Sequence, residues 1–219
     1  MTSTPIEDRC RLILVMPPLE AAPDGGLLLR ALEGGDVATL IVPQYQLDDA
    51  SYEAVLSRWT PIAQDKGVAV IGATERRLAM RHTLDGLHLL AGASEVRTSV
   101  ESQIDNMIIG ASCGPTRHAA LELGEARPDY VFFGKFGGDK RPQTHPKYLE
   151  LAHWWAQIVE VPAVLLAGNR VESVDEAART GVDFVALSQA VFGPEVDNPG
   201  NVVRLANATL EKYLIVHGD

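Results

Sequence analysis

Pro162 to Phe192 reads PAVLLAGNRVESVDEAARTGVDFVALSQAVF, and this stretch decides the fold. An apolar run, Pro162 to Ala167, stops at Gly168-Asn169. A polar, acid-rich segment follows and ends at Thr180-Gly181. A second apolar run, Phe184 to Leu187, then stops at Ser188-Gln189-Ala190. The pattern is strand, helix, strand, with small residues where each strand stops. Ser173-Val174-Asp175-Glu176 fits a capping box for the helix between them. In a (β/α)8 barrel, the loops after the last two strands commonly form a phosphate site. Small residues let backbone N–H groups approach an anion, and a helix start adds a favourable dipole. Gly168, Asn169, Ser188 and Gln189 are therefore expected to bind a phosphorylated small molecule, mostly through the backbone. Arg170 reads equally well as a phosphate contact or as a solvated arginine at a helix start.

Outward from that stretch the same unit repeats. Apolar runs at Arg11 to Met16, Val37 to Val42, Val68 to Ile71, Gly86 to Leu90, Met107 to Ala111 and Tyr130 to Phe133 read as the first six strands. Continuous apolar runs of this kind suit parallel strands covered on both faces. Between them lie helical patterns at Gly26 to Leu32, Ser51 to Lys66, Glu75 to Thr83, from near Ser94, Thr116 to Leu123 and Lys147 to Val159; Val202 to Leu214 closes the chain. In the second, Val55, Trp59, Ile62 and Ala63 share one face. In the sixth, Leu151, Trp154, Trp155 and Ile158 are available for packing. Eight alternating units without a change of pattern predict a single (β/α)8 barrel, a TIM barrel, over an open doubly wound sheet. No linker divides the chain, so residues 1–219 are expected to form one domain.

Bulk properties agree. The chain has 219 residues and is 46% hydrophobic, and ~250 residues is typical of one such barrel. Its net charge of -10 makes it a poor general partner for nucleic acid or an anionic membrane. Two scattered cysteines, Cys10 and Cys113, make neither a disulfide framework nor a zinc motif. No run approaches membrane-spanning length. The start, MTSTPIEDRC, lacks a signal peptide's apolar region, so a cytoplasmic location is expected. Assembly into a homo-oligomer is left open.

The order of four motifs resembles the thiamine-phosphate synthase family. They are DGLHL at Asp85 to Leu89, IGAS at Ile109 to Ser112, PDYVFFGKF at Pro128 to Phe136, and the stretch from Pro162. The resemblance implies a (β/α)8 transferase of thiamine biosynthesis. That family joins a pyrimidine pyrophosphate to a thiazole phosphate, with Mg2+ assisting departure of pyrophosphate. It places Ser112 and Ser188 at strand ends in the thiazole-phosphate half, and Gly137-Gly138-Asp139-Lys140-Arg141 where the family has a threonine-rich loop with a lysine. Lys140 and Arg141 are thereby expected phosphate contacts.

In the pyrophosphate half the residues depart from the family. Gln44 is kept, but Gln46 and Asp48 stand where the family has arginine and lysine. Ala73-Thr74-Glu75 replaces Asn-Asp-Arg, and the second magnesium-binding aspartate after the fourth strand is missing. Magnesium usually takes one or two carboxylates plus waters and phosphate. Glu75 alone lies near enough to substitute.

Two other readings come from the residues. The first is a divergent barrel that binds a phosphorylated ligand without this chemistry. The second is a Schiff-base lyase using Lys135, which would need that lysine buried to lower its pKa. Ser112, Lys140 and Lys135 are the catalytic candidates. The loop Gly134 to His145 has no apolar period, and Gly137-Gly138 suggests a flexible joint in a substrate-covering loop.

Overall fold

The computed structural model describes residues 9–18, 25–102 and 106–213. The reading against a signal peptide rests largely on residues 1–8, and the last helix was expected to end at Leu214; both lie outside the described residues. The strands are β1 (Arg11–Val15), β2 (Thr39–Pro43), β3 (Ala69–Ala73), β4 (Gly86–Leu89), β5 (Ile108–Ser112), β6 (Tyr130–Phe133), β7 (Ala163–Leu166) and β8 (Phe184–Leu187). All pair in parallel and in chain order, and β8 returns to β1, so the sheet closes into the expected (β/α)8 barrel. The helices are α1 (Gly25–Leu32), α2 (Asp49–Gln64), α3 (Arg76–Arg81), α4 (Ala93–Glu101), α5 (Arg117–Glu125), α6 (Pro146–Ala156), α7 (Ser173–Ala178), α8 (Gln189–Phe192) and α9 (Pro199–Leu210).

Side-chain alternation sorts the apolar residues into two bodies. Ile13, Val15, Ile41, Ile71, Tyr130, Phe132, Val164, Leu166 and Ala186 fill the barrel interior. Their neighbours along the strands, such as Leu12, Leu14, Leu40, Val70, Val131 and Val185, pack outward under the helices. Trp59 and Trp155, both fully buried, anchor α2 and α6 in that outer layer.

The N-terminal rim of the barrel is held by a repeated device. The residue just before each of β4, β6 and β8 is an aspartate that accepts an N–H from the start of the preceding strand. Asp85 takes Val70, Asp129 takes Ile109 and Asp183 takes Ala163, each at 2.7 Å. Asp85 and Asp129 also return their own N–H to the carbonyls of Val70 and Ile109. Each aspartate thus pins the register of two neighbouring strands. At the β1–β2 seam, Asp36 is instead bound by Arg9 and Arg11, at 2.7 and 2.9 Å. Burial raises the Asp36 carboxyl, but the two guanidinium groups outweigh it and hold the pKa below the ordinary value.

Some boundaries differ from the sequence reading. The Ser173 hydroxyl does not cap α7: it donates to the Arg170 carbonyl and accepts the Gly168 N–H, and Glu172 stands at the cap position. Glu176 likewise turns away and accepts the Thr144 N–H from the β6–α6 loop. The last helix starts at Pro199, capped by Asn198, rather than at Val202. Because α6 ends at Ala156, Ile158 is exposed instead of packed.

The rim aspartates generate a test. Removing the Asp183 acceptor leaves the buried Ala163 N–H unpaired, which costs about 1–2 kcal/mol. Urea denaturation of Asp183→Ala should show that loss, and Asp183→Asn, which keeps an acceptor oxygen, should recover most of it. Equal stability of Asp183→Ala and the parent would remove the clamp from the account.

Candidate functional site

The C-terminal ends of the strands carry the functional groups in such barrels. Inward positions bring His88 and Ser112, near the ends of β4 and β5, and Tyr130, at the start of β6, into one polar chain. His88 Nδ1 lies 2.9 Å from the Tyr130 hydroxyl, and Nε2 lies 2.8 Å from Ser112 Oγ. Glycine makes the space: a Cβ at Gly110 would lie 1.9 Å from the Tyr130 ring. Phe136 and Phe132 pack on the imidazole, with ring centroids at 4.8 and 5.5 Å.

His88 is 1% exposed, and burial drives its pKa down to about 3. It is therefore neutral at ordinary pH, with one N–H and one bare nitrogen. Burial, with a smaller contribution from Asp129, raises the Tyr130 pKa, so the phenol keeps its hydrogen. That hydrogen has no other acceptor among the described residues, which assigns it to Nδ1. Nε2–H then donates to Ser112 Oγ, and the serine hydrogen is left to point at a ligand. In this tautomer His88 cannot take the serine proton. In that assignment the Ser112 hydroxyl is a hydrogen-bond donor to whatever binds at the end of β5.

The ends of β6, β7 and β8 hold most of the remaining sequence candidates. Lys135, Lys140 and Arg141 are exposed and line a cleft of about 360 Å³ with Asp139, His145, Tyr148 and Leu166. Asn169, Arg170 and Gln189 line a second cleft of about 300 Å³ with Pro142 and Glu195. Arg170 is paired with Glu195 at 3.0 Å. Ser188, 1% exposed, has an Oγ without a hydrogen-bond partner.

The loop between β6 and α6 is pinned in place. Asp139 Oδ2 accepts the Gln189 N–H at 2.7 Å, the Asn169 N–H donates to the Arg141 carbonyl, and Thr144 N–H reaches Glu176. Gly137 has φ +71°, and Gly138 N–H bonds back to the Lys135 carbonyl, so this glycine pair forms a tight turn. Gly168 is required for a different reason from the one expected. A Cβ there would lie 2.3 Å from the Pro142 carbonyl, so it admits the loop backbone, while its own N–H is taken by Ser173.

The β2–β3 side has a different character. Gln44 is saturated within the protein: its amide donates to the Leu47 carbonyl and Asp49, and its oxygen accepts from Thr74. Asp48 caps α2 by accepting the Ser51 N–H, which lowers its pKa. Glu75 is exposed and makes no side-chain cap bond at the start of α3. After β4, Leu90 is 70% exposed, and the stretch Leu90 to Ala93 contains no acid. Among the described residues, no cluster of three or more acid, histidine or cysteine ligands exists. Beside the exposed Glu75, Asp48 and Asp49 are engaged by Ser51, Gln44 and Arg77, so the described residues show no pair of carboxylates preset for a magnesium ion, which demands near-ideal octahedral oxygen geometry.

Neither Lys135 nor Cys113 sits in the surroundings of a reactive nucleophile. Lys135 is exposed, one residue beyond the inward-facing Gly134, and so lacks the desolvation a Schiff-base lysine needs. Cys113 is buried, and desolvation pushes its thiol up to about 12. His88 reads from its place in DGLHL as a core or pocket residue at a strand end; its contacts with Tyr130 and Ser112 were not anticipated.

Comparison with known proteins supplies the family. The model of thiamine monophosphate synthase matches residues 12–191. The thiamine-phosphate synthase of Rhodospirillum centenum is 34% identical over 189 residues, 84% of this chain and 89% of that protein. That of Hyphomonas neptunium is 32% identical over 210 residues, 93% and 95% of the two chains. Among solved structures, thiamine phosphate pyrophosphorylase from Pyrococcus furiosus superposes with a TM-score of 0.77 at 19% identity, covering 94% of this chain and 98% of that one. Wild-type GGGPS from Thermoplasma volcanium superposes at 0.68 with 12% identity, covering 96% of each chain, a likeness of fold alone. No helix among the described residues is long and apolar enough to cross a membrane. On the extent of the model match and the identity to these relatives, the chain belongs to the thiamine monophosphate synthase family.

Proposed function

We propose that this chain is a thiamine-phosphate-synthase-type transferase of thiamine biosynthesis, joining a pyrimidine pyrophosphate to a thiazole phosphate, with its pyrophosphate–metal half degenerate. The observation that carries the reading is the Tyr130–His88–Ser112 chain, which rises inside the barrel and ends in the Ser112 hydroxyl at the end of β5. It presents one oriented hydroxyl to a ring bound against Phe136. In the same reading, Asn169, Ser188 and Gln189 seat the phosphoryl group, and Lys140 and Arg141 attract it in an otherwise acidic protein. Such a substrate is a phosphorylated small molecule met in the cytoplasm.

The family's magnesium offsets charge on the departing pyrophosphate. Here the residues at that half, Gln44, Gln46, Asp48 and Glu75, supply neither paired carboxylates nor a cation. Asp48 adds negative charge near the place where the leaving group would sit.

Three outcomes follow. Condensation of the two family substrates, followed as pyrophosphate release, should be slow and should respond little to added magnesium. Ordinary magnesium-dependent turnover would show instead that Glu75 or another acid has rebuilt the metal site. The second concerns His88. Its pKa is about 3 in the fold and about 6.5 in an unfolded chain. Below pH 6.5 the unfolded state therefore binds more protons, so stability rises with pH between those two values. Denaturation midpoints of the parent should fall as pH drops from 6.5 towards 4, and His88→Gln should flatten that dependence. Thiamine phosphate affinity should also fall by about 2- to 10-fold in Ser112→Ala, the worth of one hydrogen bond. An unchanged pH slope in His88→Gln would contradict the buried neutral imidazole.

A further inference from the structure

The seat at the ends of β7 and β8 already holds a negatively charged group. Asp139 is 5% exposed, and its Oδ2 accepts the Gln189 N–H at 2.7 Å. That N–H is among the donors a phosphoryl group bound at the end of β8 would need. Asp139 Oδ1 is buried without a hydrogen-bond partner, and so is the adjacent Ser188 Oγ at the inward position that ends β8. Asp139 also lines the cleft of Lys140 and Arg141 while bonding to a residue of the cleft of Asn169 and Gln189, so its side chain stands between the two. Among the described residues no lysine or arginine pairs with it.

A buried carboxylate oxygen without a partner is costly, as is a buried hydroxyl without one. Desolvation raises the Asp139 pKa despite hydrogen bonds from the Gln189 N–H and from its own backbone N–H. The carboxylate therefore sits where an anion's donors are, and sits there at a disadvantage that a better-satisfied anion would relieve.

Resting on the phosphoryl seat of the proposed function, we propose that Asp139 is an autoinhibitory occupant of that seat. Its carboxylate takes the Gln189 N–H and closes the site, and a phosphoryl ligand binds only when Asp139 and its loop segment move out. The apparent affinity for a phosphoryl group is then lowered by the fraction of molecules in which the seat is open. Ligands must bring enough contacts elsewhere, at Ser112 and Phe136, to displace the carboxylate, so the device favours a whole substrate over a free anion.

Titration of the full chain with inorganic phosphate at pH 8 tests this, with binding followed by calorimetry and by the Gln189 amide resonance. Asp139→Ala should bind phosphate at least ~10-fold more tightly than the parent, with the Gln189 amide shifted by the substitution and shifted again by phosphate. Asp197→Ala removes the same charge from the exposed loop after α8 without emptying the seat, and should change affinity far less. If the parent binds phosphate and Asp139→Ala binds no better, or if both substitutions strengthen binding equally, the occupant role is overturned and the seat itself stands. If neither the parent nor Asp139→Ala binds phosphate, the phosphoryl seat falls and the latch with it.

Discussion

Ring closure is the constraint on which the rest of this chain depends. Once β8 pairs with β1, with Ile13 opposite Ala186, every strand's register is tied to every other. A slip of one residue anywhere would turn a whole set of inward side chains outward. The aspartates at 85, 129 and 183 act where such a slip would start, by fixing an N–H within the first two residues of β3, β5 and β7. The polar chain at the opposite end is a product of that register. His88, Ser112 and Tyr130 meet only because β4, β5 and β6 are held in step, with His88 opposite Gly110 and Gly110 opposite Tyr130.

The mouth of the barrel is chemically lopsided. On the β5–β8 side, the serine hydroxyl has a defined orientation, and oxygens of Asp139 and Ser188 lie buried without partners. On the β2–β3 side, the polar groups satisfy one another. Gln44 is occupied by Leu47, Asp49 and Thr74, and Asp48 by its own helix. Groups already saturated within the protein gain little by meeting a ligand, whereas buried oxygens without partners gain a full hydrogen bond. This contrast is the physical ground for the proposal that one half-site is retained and the other degenerate.

The barrel was legible because its strands are short apolar runs ending in small residues, a pattern fixed by burial on both faces. What escaped were features set by distant contacts. Helix α8 spans only Gln189–Phe192, too short to show a period. Ser173 and Glu176 have the spacing of a capping box, yet the Gly168 N–H and the Thr144 N–H compete for their oxygens and win. Lys135 looked like a strand-end lysine, but Gly134 takes the inward position and leaves it in solvent. Nothing in GKFGGDKRPQTH distinguished Asp139 as the buried member among exposed cations. That role depends on Gln189, fifty positions away.

The central claim is that ligand is held by the ends of β5 to β8 and not by those of β2 to β4. A crystal structure of the protein soaked with thiamine phosphate, pyrophosphate and magnesium tests it most directly. The account predicts a phosphoryl group at Ser188-Gln189 with the attached ring against Ser112 and Phe136, and no ordered metal or pyrophosphate beside Gln44 and Glu75. An ordered magnesium ion bridging pyrophosphate to Glu75, with the β7–β8 ends empty, would contradict it.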